Sequence, residues 1–231
     1  MNHLDLVQLT KLIHITRGSP AVVIGLVDGP VAKDHPDLQG EHIHEIDGNT
    51  SGTCALANSV ACMHGTFIAG ILSAKRSSPA PAICPDCTLR IRHFFAEATS
   101  ESTQIPSATP QELSAAIFDC VKAGVQVINL SAALFQPTRA GERELGDALD
   151  YAADRGVIIV AAGGNQGLVG STVITRHPWV IPVVACDLRG KPLNYSNLGN
   201  SISRRGLTAP GEDINALVRM LSLSAVLDAM S

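Results

Sequence analysis

Hydrophobic positions along the chain fall into short unbroken blocks, separated by stretches where apolar residues recur every third or fourth place. The blocks "AVVIGLVD" (21–28), "VQVINLSAA" (125–133), "VIIVAAGG" (157–164) and "WVIPVVAC" (179–186) are rich in β-branched residues. Their length and continuity fit strands buried on both faces, and "TLRIRHFF" (88–95) alternates like a strand. Between them, "HGTFIAGILSA" (64–74) puts Phe67, Ile71 and Leu72 on one side of a helix. "TPQELSAAIFDCVKAG" (109–124) opens with a threonine cap and a proline at the first helical position, and ends at Gly124. "ERELGDALDYAADRG" (142–156) is the next helix, again closed by glycine.

This alternation predicts an α/β fold, a three-layer α/β/α sandwich around a mostly parallel sheet. In such sheets ligands bind beyond the carboxyl ends of the strands. Asp28, Ser131 and Asn165 each stand at or just after the end of a strand block, so the fold gathers them on one rim. Residues 97–109 are polar and breaker-rich and read as a surface loop, residues 1–20 read as a short helical arm, and residues 21–231 read as one domain.

Composition narrows the partners. The 231 residues are 45% hydrophobic, enough for one well-buried domain, and the formal net charge is −4 with no basic stripe. Phosphate neutralisation needs clustered cations and base stacking needs aromatics, which make up only 3% here, so nucleic acid is not expected as a partner. No apolar run reaches the length of a membrane span, and the first twenty residues lack the pattern of a secretory signal. The six cysteines are therefore expected to be reduced thiols in a cytoplasmic protein. "CPDC" (84–87) has metal-ligand spacing, but no second such pair follows, and no calcium-loop motif occurs; neither metal nor cofactor is expected.

The rim residues are ambiguous one at a time. An aspartate after a buried strand is often a cap or turn residue, a histidine at a helix start is often structural, and Asn165 in "AAGGNQG" could occupy a left-handed turn. Neither G-x-G-x-x-G nor G-K-[ST] follows any strand block, which sets aside a phosphate cradle. Taken together, an acid, an imidazole and an amide donor supply three of the four parts of acyl transfer by a serine.

Five ordered stretches resemble subtilisin-type serine peptidases: "IGLVDGPVAKDHPDL", "HGTFIAGIL", "VINLSAA", "VIIVAAGGNQG" and "LTAPGEDI". Within that family, "DGPV", "HPWVIPVVACDLRGKPLNYSNLGN" and "TAPGEDI" resemble the proteases that mature cyanobactin precursor peptides. The resemblance implies that Asp28 orients His64, that His64 is the general base and that Asn165 donates to the oxyanion. It further implies that Ser131, Ala132 and Ala133 line one side of a groove for an extended peptide, with Ala162, Gly163 and Gly164 opposite. The implied activity is endoproteolysis of a ribosomal precursor in bacterial cytoplasm.

The nucleophile segment departs from the pattern. Family members follow the Ala-Pro-Gly stretch with Gly-Thr-Ser opening a long helix, whereas here "NALVRMLSLSAVLDAMS" follows and no Gly-Thr-Ser occurs. Ser224 is preceded by Ser222 and Leu223 where glycine and threonine should stand. Leu217, Met220, Leu221, Leu227 and Met230 have helical spacing instead. A shifted reading frame or a shortened chain would each give such a tail, leaving the fold incomplete at its C-terminus. The alternative to a working peptidase is a subtilase remnant that binds peptide without cutting it.

Overall fold

The computed structural model describes residues 3–38, 40–48, 52–55, 59–80, 82–94, 109–131, 141–214 and 216–217. Two short helices, α1 (His3–Leu6) and α2 (Leu9–Ile15), precede β1 (Val23–Asp28), β2 (Ile43–Glu45), α3 (Val60–Ser73) and β3 (Thr88–His93). Then come α4 (Pro110–Lys122), β4 (Val127–Leu130), α5 (Glu142–Asp154), β5 (Ile158–Ala162), α6 (Val173–Arg176), β6 (Val180–Cys186), α7 (Asn200–Arg205) and β7 (Leu207–Pro210). The strands form one seven-stranded sheet in the order β2-β3-β1-β4-β5-β6-β7, and every pairing is parallel. The α/β sandwich expected from the alternating blocks is the observed fold. No helix among the described residues is long and apolar enough to cross a membrane.

Successive side chains on a strand point to opposite faces, and this sorts the core into two layers. Val27, Ile128, Leu130, Ile159 and Ala161 meet Leu113, Ile117, Leu145 and Leu149 from α4 and α5 on one face. Leu26, Leu89 and Ile91 meet Ala69 of α3 on the other, where Leu217 is also buried. The α4 start follows its sequence signal closely. Thr109 accepts from the Glu112 N–H and the Glu112 carboxylate accepts from the Thr109 N–H, a reciprocal cap contributing about 1 kcal/mol.

Two expectations need correction. The cysteines are not all reduced: Cys54 and Cys62 form a disulfide, with Cα atoms 5.6 Å apart, because Cys54 lies against the first turn of α3. The helix itself starts earlier than the apolar pattern suggests. Ser59 caps it by accepting from the Cys62 N–H at 3.2 Å, so His64 lies one turn inside α3 rather than opening it. Of the tail positions with helical spacing, only Leu217 falls among the described residues; Met220, Leu221, Leu227 and Met230 lie outside them, as does Ser224.

Candidate active site

The strand period decides where the acid points. Asp28 shares a face with Leu26, the face covered by α3, and its carboxylate is fully buried there. His64 on α3 meets it: the imidazole Nδ1 lies 2.6 Å from Asp28 Oδ1. The same oxygen accepts the Gly29 N–H at 2.6 Å. With Nδ1–H committed to the carboxylate, Nε2 is the free, proton-accepting nitrogen. Burial alone would push the His64 pKa down, but the Asp28 charge and hydrogen bond act against it, and the net shift is upward.

Glycines permit this approach. A methyl on Gly65 would collide with the carbonyl oxygens of Gly29 and Pro30, and one on Gly29 would collide with the Ala61 carbonyl. Helix α3 thus sits with its backbone directly against the turn after β1. Gly65→Ala should force the two apart and destabilise the fold by roughly 1–3 kcal/mol, read from the urea unfolding midpoint. A midpoint equal to the parent's would remove the close approach as the reason for glycine here.

The carboxyl ends of β4, β5 and β6 frame a cavity of about 290 Å³ beside the imidazole. His64, Ser131, Ala162, Gly163, Gly164 and Asn165 all line it, so these six expected residues converge on one cleft. Ala132 and Ala133, expected beside Ser131, lie outside the described residues. Gly163 is glycine because β6 crowds it: a methyl there would stand 2.7 Å from Val184 Cγ1. Gly164 turns the chain with φ +97°, a conformation that side chains other than glycine's rarely adopt.

Three neighbours went unread in the sequence. Asn129, two residues before Ser131 and on the same face, donates to its hydroxyl at 2.8 Å. Asn197 latches the turn that carries Asn165. Its side-chain Oδ1 accepts from the Gln166 and Leu168 N–H groups, and its backbone N–H donates to the Gly164 carbonyl at 2.8 Å. His93 pairs in register with Asp28 and is buried on the same side of the sheet. Its Nε2 lies 3.6 Å from Glu45, which in turn meets Lys33 at 2.6 Å. Burial pushes the His93 pKa below its ordinary value against the pull of Glu45, favouring an uncharged ring beside the acid. The "TLRIRH" alternation held the only signal for it, by putting His93 in step with Leu89 and Ile91.

Comparison with known proteins bears on the family and the fold. The profile described as the subtilase family matches residues 19–228. A thermophilic serine proteinase from Bacillus sp. (strain AK1) is 30% identical over 202 residues, covering 87% of this chain and 46% of that protein. Subtilisin NAT of Bacillus subtilis subsp. natto is 26% identical, covering 84% of this chain and 48% of its own length. The chain therefore spans about half the length of these curated relatives. Among solved structures, a mutant of the protease domain of PatA superposes with a TM-score of 0.78 at 29% identity, covering 87% of this chain and 70% of that one. The prenylagaramide maturation protease PagA gives 0.77 at 29% identity, with 95% and 76% covered.

Proposed function

We propose, from the premise that this chain belongs to the subtilase family, that its cleft holds an extended peptide and serves its hydrolysis as a serine endopeptidase. The observation that carries this reading is the 2.6 Å bond between His64 and a fully buried Asp28, on a cavity that Asn165 also lines. In the reaction, Nε2 of His64 takes the proton of a serine hydroxyl as that oxygen attacks the scissile carbonyl. Asp28 holds the imidazole in the tautomer that can accept it, and the Asn165 amide donates to the oxygen that becomes negative. The substrate we infer is a ribosomally made precursor peptide in bacterial cytoplasm. Its support is the likeness to the PatA protease domain and to the prenylagaramide maturation protease over most of this chain.

The attacking serine is the missing part, since Gly-Thr-Ser occurs nowhere in the sequence. That same observation favours a second reading, in which the cleft holds peptide without cutting it. A fluorophosphonate probe separates the two. Labelling is expected once a family Gly-Thr-Ser helix follows Gly211, and it should vanish when the added serine is changed to alanine. A folded, extended chain that takes no label would sink the peptidase reading and leave only binding.

In that extended chain, Asn165→Ala should lower kcat about 10²–10³-fold with KM nearly unchanged, the loss measured for an oxyanion amide in subtilisin itself. An equal loss confined to KM would make Asn165 a ground-state contact instead.

A further inference from the structure

Far from the cleft, the turn leading into β3 carries Cys84 and Cys87. The Cys87 N–H donates to the Cys84 carbonyl at 3.0 Å, a tight turn that sets both side chains against Gly18, and both thiols are free. Cys87 is only 4% exposed, whereas Cys84 is half-buried. Among the described residues no third histidine, cysteine or acid joins them as a metal-binding group, so they offer half of a tetrahedral zinc shell.

The N-terminal arm rests on this turn. Arg17 clasps the Asp86 carboxylate through Nε at 2.9 Å and Nη2 at 3.1 Å, and the Asp86 N–H donates back to the Arg17 carbonyl at 3.0 Å. Gly18, at φ +93°, passes so close that a methyl on it would stand 2.5 Å from Cys87 Sγ. Arg76 ties the Thr16 and Ile83 carbonyls together at 3.0 and 2.9 Å. The Cys87 sulfur thus lies against the chain at Gly18, next to the residues that Arg17 and Arg76 tie down.

We propose that Cys84 and Cys87 form a dithiol site for thiol–disulfide exchange with low-molecular-weight disulfides, and that docking of the N-terminal arm reports its state. The Cys84 thiolate attacks one sulfur of the small disulfide and expels the other half as a thiolate. The Cys87 thiolate then attacks the Cys84 sulfur, forming the internal bond and expelling the second half. The two protons lost by the protein end on the two released thiols; the protein dithiol is oxidised by two electrons and the reagent is reduced by two. Exposure assigns the order, with accessible Cys84 attacking and buried Cys87 resolving.

Burial and the adjacent Cys87 push the Cys84 pKa up to about 12, so thiolate is scarce near neutrality and the dithiol persists there. Closure should accelerate about tenfold per pH unit between about pH 7 and 9.

The test uses the full chain. It is incubated with glutathione disulfide at about pH 8.5, free thiols are alkylated, and trypsin is added. The peptide 77–90, bounded by Arg76 and Arg90, contains Cys84 and Cys87 and no other cysteine. We expect it unalkylated and about 2 Da lighter than the dithiol form. Cys87→Ser should trap glutathione on Cys84, while Cys84→Ser should leave Cys87 free. A wild-type peptide that is doubly alkylated, or that keeps glutathione without an internal bond, would overturn the site. Hydrogen exchange at residues 13–18 should differ between oxidised and dithiothreitol-reduced protein, and not in the Cys84→Ser/Cys87→Ser double variant. Identical exchange in both wild-type states would overturn the arm's part.

Discussion

Replacing His64 by alanine should lower kcat about 10⁶-fold in a chain that carries a Gly-Thr-Ser helix after Gly211, the loss seen when a subtilisin loses its base. The size of the effect follows from the geometry. The imidazole is committed through Nδ1 to Asp28 at 2.6 Å, and no other imidazole among the described residues lines the same cavity. His93 cannot substitute, because it belongs to the neighbouring strand and faces Glu45. KM should change far less than kcat, since the ring acts on a proton rather than on peptide contacts. Removing a buried ring leaves a cavity, so circular dichroism and the unfolding midpoint must first establish a folded variant. A folded variant that still cuts at the parent's rate would end His64's role as base.

Much of this site could be read from residue patterns because it depends on local rules. β1 ends in Asp28, and the period of two that buries Leu26 beneath α3 aims the carboxylate the same way. The α4 cap at Thr109 is a three-residue signal and was visible for the same reason. What escaped notice depends on chain segments returning from elsewhere. The Cys54–Cys62 bond requires Cys54 to lie against the first turn of α3, which spacing alone does not encode. The Asn197 latch requires the segment between β6 and α7 to lie against the end of β5. The start of α3 is hidden because its apolar stripe begins after the cap, while Ser59 sits in a polar stretch that reads as loop. Residues 132–133 and Ser224 lie outside the described residues, so the groove wall at Ala132 and Ala133 rests on family likeness.

Asp28→Asn should cost about 10⁴-fold in kcat in the same extended chain, and its cause can be measured without any nucleophile. An amide can offer an N–H to Nδ1, which favours the tautomer whose Nε2 carries the proton and cannot accept another. It also removes the charge that opposes desolvation. Burial pushes His64 below its ordinary value and Asp28 raises it above 6.5; without the carboxylate only burial remains, so the pKa should fall below 6.5. NMR titration of the His64 ring in the 231-residue chain reads this directly. Stability carries the matching sign. A folded pKa above the unfolded one means that protonated His64 favours the native state, fully so below about pH 6.5, with the contribution lost as pH climbs through the folded pKa. The variant should lack that contribution, so the parent's advantage in unfolding free energy should be largest in acid and shrink as pH rises. A His64 ring in the asparagine variant that titrates at or above the parent's pKa would show that Asp28 does not set its protonation, and the dyad would be a packing contact rather than catalytic machinery.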